Sequence, residues 1–186
     1  MPAGIKKLLY TKAHEAWLEV IRPGSLLIDA TLGNGHDTLF LAQALQKGQI
    51  VGYDIQEAAI SSTLNRLQSH DFQVSNEGDL QITLKLQSHA HIAEKNARLI
   101  VYNLGYLPCH DKSVTTMTET TLKSLESAKS ALMPGGLLSI TCYPGHLEGE
   151  REAAAVMAWA EKQTAPWSME VIPSPSPFLI LLRLSA

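Results

Sequence analysis

The sequence has few cysteines. Only Cys109 and Cys142 occur among the 186 residues, and they form no CxxC pair. They match neither a disulfide framework nor the ligand spacing of a zinc site. We therefore expect a reducing, cytoplasmic setting.

Long apolar runs and an excess of positive charge are also missing. No stretch has the apolar length of a membrane span, and charges interrupt the first apolar run before a secretory segment could form. We expect no membrane association and no export. The formal net charge of −3 disfavours a general nucleic-acid coat, because such proteins neutralise phosphates with Lys and Arg. A nucleic-acid partner would have to meet a local basic patch.

The length and apolar content predict one compact domain over residues 1–186. With 45% hydrophobic residues, a chain of this size can bury roughly two-thirds of its unfolded surface. Apolar residues at near-helical spacing predict an N-terminal helix within residues 1–22, packed on this domain and ending before Pro23.

From Ser25 onward, apolar and amphipathic segments alternate, which is typical of βαβ units and a parallel sheet. Helices are predicted at 37–46, 56–69, 118–131 and 148–162. Strands are predicted at 25–30, 49–54, 81–86, 98–102, 136–142, 168–172 and 178–184.

The last two predicted strands are joined only by PSPSP, which leaves no room for a crossover helix. They must therefore form an antiparallel hairpin. A mostly parallel seven-stranded sheet with such a C-terminal hairpin is the α/β, Rossmann-like class I methyltransferase fold. A dinucleotide dehydrogenase normally has an all-parallel sheet.

A glycine turn stands between the first predicted strand and the next helix, in the segment IDATLGNGHDTLFLA. Gly33 and Gly35 would let the backbone approach a ligand closely, and the helix start offers free amides to a carboxylate-bearing cofactor. The dinucleotide fingerprint needs a third glycine, but Thr38 occupies that position. This favours S-adenosylmethionine, with a NAD-binding oxidoreductase as the alternative from another class.

Two acidic residues accompany the turn. Asp54 ends the second strand, 19 residues after Gly35, where a carboxylate can accept both ribose hydroxyls of an adenosine. The alternative role of Asp54 is to cap the helix that begins at Gln56. Asp29 would either orient the cofactor's amino group or bond to the glycine-loop amides.

The sequence Asn103-Leu104-Gly105-Tyr106 follows the fourth predicted strand and resembles the [ND]-P-P-[YF] motif of amino-group methyltransferases, without its prolines. A neutral amine that attacks a sulfonium methyl needs hydrogen-bond acceptors around it. The Asn103 side chain and the Leu104 carbonyl could accept amine hydrogens, and Tyr106 could cover the nascent cation. Alternatively, Asn103 is an ordinary turn residue at a strand end.

Several motifs together carry a family resemblance: DATLGNGHDTLFLA, GYDIQEAAI, the region of His89, NLGYLP with DKSVTT, and MPGGLLSITCYPGH with a downstream PFL. Over residues 14–181 the chain resembles the MnmM-like family of bacterial tRNA 5-aminomethyl-2-thiouridine methyltransferases, formerly described as rRNA methylases. The resemblance implies S-adenosylmethionine as cofactor and the anticodon stem-loop of tRNA as partner. The implied reaction is methylation of the aminomethyl nitrogen at the wobble uridine.

The motifs and the resemblance together indicate the site residues. On the cofactor side we expect Asp29, Gly33, Asn34, Gly35, His36, Asp37, Asp54, Gln56, His89 and Asn103. On the acceptor side we expect Leu104, Gly105, Tyr106, Asp111, Lys112, Tyr143 and His146, with Asn103 and Tyr106 as the catalytic pair. The chain departs from the family pattern at Cys109-His110, at LEGE after His146, and near His89, where the expected acidic residue is missing.

Several alternatives stay open. The acceptor could instead lie in rRNA or be a small amine, and Cys109 could support methylation of a ring carbon. His36, His89 and His146 are candidates for binding or proton transfer. His89 and His91 would share a face if extended, but no further ligand stands at zinc spacing, so we expect no metal site.

The N-terminal segment has a basic bias from Lys6, Lys7, Lys12 and Arg22. These side chains could meet anticodon phosphates, or they could form an ordinary solvated helix face. We also consider a homodimer as a partner arrangement.

Overall fold

Strands and helices alternate along most of the chain in the computed structural model, which describes residues 3–105, 116–145, 147–174 and 176–186. Within these ranges the helices are α1 (Ala3–Val20), α2 (His36–Ala44), α3 (Glu57–Gln68), α4 (Thr118–Ala131) and α5 (Leu147–Glu161). The strands are β1 (Ser25–Asp29), β2 (Gly48–Asp54), β3 (Leu80–Leu86), β4 (Ala97–Leu104), β5 (Leu132–Cys142), β6 (Trp167–Ile172) and β7 (Phe178–Leu184).

All seven strands join one sheet in the order β3-β2-β1-β4-β5-β7-β6. The neighbours from β3 to β5 pair in parallel, whereas β7 lies antiparallel to both β5 and β6. The predicted α/β architecture and the C-terminal hairpin are therefore confirmed. The hairpin folds so that its second strand, β7, is inserted beside β5.

Both faces of the sheet are covered, which explains why its central strands read as continuous apolar runs. Alternate residues of β4 enter different cores, as the two-residue period of a strand requires. Leu99 and Val101 pack towards α1 and α2. Ile100 and Tyr102 pack on the opposite face, with α4 and α5.

The segment after β3 differs from the extended form that we considered for it. His89–His91 is a short 3₁₀-helix, begun by the Ser88 side chain, which accepts a hydrogen bond from the Ala90 amide. His89 is buried while His91 is exposed, so the two rings do not share a face. Among the described residues, no helix is long and apolar enough to cross a membrane.

Candidate functional site

The carboxyl ends of β1, β2 and β4 bring the predicted polar residues to one edge of the sheet. β1 ends at Asp29 beside β2 and β4, β2 ends at Asp54, and Asn103 is the penultimate residue of β4. In open α/β sheets this edge, where the strand order reverses, is the usual position of a ligand.

The glycine turn between β1 and α2 needs its glycines. Gly33 and Gly35 both have positive φ, 52° and 73°, and Gly35 is the N-terminal cap of α2. A Cβ at Gly35 would lie 2.7 Å from the Thr63 Cα of α3, closer than real side chains approach. The glycine therefore allows both the left-handed turn and the contact between the two helices.

The predicted loop residues Asn34 and His36 are tied to α3. The Arg66 Nε donates to the Asn34 carbonyl at 2.6 Å, and the Arg66 Nη2 lies 3.2 Å from the His36 Nε2. These contacts hold the outer side of the turn against α3.

Asp54 joins the glycine turn to the start of α3. One carboxylate oxygen accepts the Gly33 amide at 3.0 Å, and the other accepts the Gln56 amide at 3.0 Å. The N-terminal cap position of α3 belongs to Gln56, so Asp54 supports the helix start without being its cap residue. Each carboxylate oxygen keeps a free lone pair, so a ribose contact stays a prediction.

Two exposed apolar side chains lie next to Asp54, and the sequence analysis did not single them out. Ile55 is 59% exposed, and Leu86, the register partner of Asp54 across β2 and β3, is 53% exposed. Large apolar groups at the ligand edge of a sheet offer a surface for a flat ring. The signal in the sequence was the apolar residue directly after the acidic end of β2.

Asp29 is completely buried and has two partners. Its oxygens accept the Thr31 amide at 3.1 Å and the Thr38 hydroxyl at 2.6 Å. Asp29 therefore binds the amide of Thr31, which lies before the two glycines of the turn. Burial and the nearby Asp37 carboxylate raise the pKa of Asp29 to about 7. Direct contact of Asp29 with a cofactor stays a prediction.

Asp37 contacts Asn103, a residue that we predicted both on the cofactor side and at the acceptor. Its carboxylate accepts a hydrogen bond from the Asn103 Nδ2. The backbone N–H of Asn103 donates to the Thr31 hydroxyl at 2.7 Å. The Asn103 Oδ1 is buried and has no hydrogen-bond partner within the described residues. A buried acceptor without a donor costs about 1–3 kcal/mol, which a bound donor would recover.

Helix α1 adds two aromatic residues that the sequence analysis missed. The Tyr10 hydroxyl lies 3.1 Å from that of Tyr143, and burial raises the pKa of Tyr143, helped by Tyr10 and Asp37. The His14 ring stacks on Phe40, and its Nε2 lies 3.6 Å from the Asp37 Oδ1. Tyr10 and His14 are four residues apart, so they share one face of the predicted helix. That spacing was the available signal.

His89 lies deeper than a cleft residue would. Only 8% of it is exposed, its ring packs near Tyr102, and its carbonyl accepts the Ser124 hydroxyl of α4 at 2.8 Å. Burial lowers its pKa to about 4. A ring with so low a pKa is a weak base, and a role of His89 in binding or proton transfer stays a prediction.

The remaining acceptor residues are only partly described. Leu104 is buried, and the Gly105 carbonyl accepts the Thr116 amide at 2.9 Å. Outside the described residues lie Tyr106, Cys109, Asp111, Lys112, His146 and the side chains of Lys6 and Lys7.

Two of the predicted basic residues have local partners. Lys12 forms an exposed ion pair with Glu15 at 2.9 Å, and the Arg22 guanidinium donates to the Glu19 and Ile21 carbonyls. These contacts suit the solvated helix face that we considered as the alternative to a phosphate-binding role.

The strand order, with β7 inserted antiparallel beside β5, and the glycine turn followed by an acidic residue at the end of β2 define the class I methyltransferase fold. Residues 50–173 match the family model described as "Putative rRNA methylase". The chain belongs to this family.

A curated relative and two solved structures are similar to the chain. The "tRNA (mnm(5)s(2)U34)-methyltransferase, chloroplastic" of Arabidopsis thaliana is 37% identical over 155 residues, or 79% of this chain, which spans only 57% of that relative's length. A "putative rRNA-methylase" from Clostridium thermocellum is 27% identical, with a TM-score of 0.87, covering 94% of this chain and 96% of that one. A Streptococcus mutans "putative methyltransferase" in complex with SAH is also 27% identical, with a TM-score of 0.79, covering 94% and 97%.

Proposed function

We propose that the protein is an S-adenosylmethionine-dependent N-methyltransferase that acts on the aminomethyl group of 5-aminomethyl-2-thiouridine at the tRNA wobble position. The observation that carries this proposal is the buried Asn103 Oδ1, an acceptor without a donor at the ligand edge of the sheet. The name of the plant relative supports the tRNA substrate. The SAH complex of the streptococcal neighbour supports the cofactor.

The residues at the carboxyl ends of β1 and β2 fit S-adenosylmethionine, which would supply an electrophilic sulfonium methyl. The glycine turn at Gly33–Gly35 brings the start of α2 to the sheet edge, where the positive end of the helix dipole suits the methionine carboxylate. Asp54 has lone pairs left for the ribose hydroxyls. Ile55 and Leu86 offer apolar surface to the adenine.

The acceptor side fits an amine. A primary amine carries hydrogens that the Asn103 Oδ1 can accept, and this contact would aim the nitrogen lone pair away from Asn103. When bound, S-adenosylmethionine would supply the methyl group for the new C–N bond, and its sulfur would leave with the electron pair of the C–S bond. The resulting ammonium loses a proton to solvent, so a dedicated base is not required.

We also propose acceptor roles for Tyr106, Asp111, Lys112 and His146. We further propose that the chain forms a single domain, assembles as a homodimer and works in the cytoplasm. The description of the family as an rRNA methylase supports rRNA as the second candidate acceptor.

Nucleoside mass spectrometry tests the proposal directly. The purified protein, with S-adenosylmethionine, should methylate tRNA that carries 5-aminomethyl-2-thiouridine but not the same tRNA without the aminomethyl group. The rate should rise with pH while the substrate amine loses its proton. Ribosomal RNA and a small primary amine serve as competing acceptors. Equal labelling of modified and unmodified tRNA would refute the amine acceptor, and Cys109→Ser should remain active.

A further inference from the structure

The Asn103 side-chain amide has one fixed end and one open end. Its Nδ2 donates to Asp37, while its Oδ1 is buried without a partner within the described residues. A half-turn of an amide exchanges its donor and acceptor ends at almost constant shape. The contacts of the amide therefore decide which end faces the acceptor.

The contact with Asp37 decides which end of the Asn103 amide faces the acceptor. A carboxylate accepts hydrogen bonds and has no hydrogen to donate, so it can bond only to the Nδ2 end of Asn103. The Oδ1 end is then directed away from Asp37. We propose that Asp37 is a positioning residue that fixes the Asn103 amide with its oxygen towards the acceptor. The site thereby selects acceptors that bring an N–H group, a selectivity that rests on the function proposed above.

Both partners of this contact are held by other elements. Asp37 is only 7% exposed, and on its far side the Nε2 of His14 lies 3.6 Å from its Oδ1. The His14 ring is in turn stacked on Phe40 with centroids 3.7 Å apart. The Asn103 backbone is anchored to Thr31. Asp37 and the Asn103 backbone are therefore both fixed, and a half-turn of the amide would set its Oδ1 against the Asp37 carboxylate, an arrangement of two acceptors without a donor.

A competing role for Asp37 follows from its place in the first turn of α2. From there it could contact the cofactor directly. The structure shows one oxygen bonded to Asn103 and the other facing His14, and these contacts leave both roles open. Cofactor affinity separates the two roles, because a positioning residue acts on turnover and a cofactor ligand acts on binding.

A reciprocal exchange of the two side chains tests the positioning role. In Asp37→Asn, position 37 can also donate, so the Asn103 amide can turn either way. In Asn103→Asp, two carboxylates face each other, which favours protonation of one of them. In the double variant Asp37→Asn/Asn103→Asp, the amide at position 37 can donate to the carboxylate at position 103. In the double variant an oxygen of the side chain at position 103 again faces the acceptor, and the total charge of the pair is that of the wild type.

We expect each single variant to lower kcat by about tenfold or more, and the double variant to recover most of that loss relative to Asn103→Asp. The Kd for S-adenosylhomocysteine should stay within about threefold of wild type in all three. Asp79→Asn, a carboxylate-to-amide change at an exposed ion pair, is the matched control and should behave as wild type. A double variant no faster than Asn103→Asp, or a large loss of affinity in Asp37→Asn, would overturn the proposal.

A second measurement needs no RNA. The side-chain amide signals of Asn103, identified by NMR as the pair missing from Asn103→Asp, should shift in Asp37→Asn and stay unchanged in Asp79→Asn. An unchanged pair in Asp37→Asn would overturn the positioning contact. If the pair shifts in Asp37→Asn but the wild-type protein methylates no tRNA, the positioning contact stands, whereas the proposed function and the selectivity that depends on it are refuted.

Discussion

The two halves of the site differ in how their polar groups are satisfied. On the cofactor side, Asp29 and Asp54 each use both carboxylate oxygens in hydrogen bonds within the protein. On the acceptor side, the Asn103 Oδ1 and the His14 Nε2 are buried without hydrogen-bond partners in the described part of the chain. A satisfied network is held by the protein's own groups, whereas the two open groups can accept a hydrogen bond from a ligand or donate one to it.

The halves also differ in the sequence distances that build them. Asp54 and Gly33 are 21 residues apart, within one βαβ unit. Asn103 meets Asp37 across 66 residues, and Tyr10 meets Tyr143 across 133. The cofactor side thus forms within a local unit, while the acceptor side depends on the complete sheet and on α1. Changes in the two halves should therefore affect different measurements.

The largest effect is expected on the acceptor side, from Asn103→Ala. Losing one group that bonds to the reacting amine should lower kcat by about a hundredfold or more, with almost unchanged affinity for S-adenosylhomocysteine. Stopped assays on modified tRNA, together with calorimetric titration, measure both quantities. Asn65→Ala, on the exposed face of α3, is the control. Methyl transfer at nearly the wild-type rate would show that Asn103 is only a turn residue.

A smaller effect is expected on the cofactor side, from Asp54→Ala, and it should change cofactor affinity more than turnover. Loss of a charged contact to the ribose should weaken S-adenosylhomocysteine binding by about tenfold or more. Turnover at saturating cofactor should fall much less. Asp54→Asn keeps the side-chain shape, so its affinity for S-adenosylhomocysteine should lie between those of the wild type and Asp54→Ala. A folded Asp54→Ala protein with wild-type affinity would leave Asp54 only its bonds to Gly33 and Gln56.

The same contrast explains what the sequence could predict. Helix α4 was predicted at 118–131 and occupies those residues, and the linker PSPSP was enough to predict the hairpin of β6 and β7. The glycine turn and Asp54 were found because their spacing lies within one unit. The contact of Asp37 with Asn103 and the approach of His14 from α1 depend on how distant elements pack, and no local pattern encodes that. Burial of His89 likewise depended on packing against α4.

The smallest net effect in the wild type concerns pH and stability, because two buried groups oppose each other. The pKa of Asp29 is raised from 3.8 to about 7. Between these values the folded state binds more protons than the unfolded state, so the free energy of unfolding falls as pH rises. The pKa of His89 is lowered from 6.5 to about 4. In that interval the unfolded state binds more protons, so the free energy of unfolding rises with pH.

Removing either group should expose the slope of the other. Relative to wild type, Asp29→Asn should make the free energy of unfolding rise more steeply from about pH 4 to 6.5, and His89→Asn should make it fall over the same range. Urea unfolding of the cofactor-free protein at several pH values measures these slopes. Since Asp29 binds only Thr31 and Thr38 within the described chain, its titration should change stability more than acceptor selectivity. Equal slopes in both variants would mean that neither group is held in the protonation state that its burial implies.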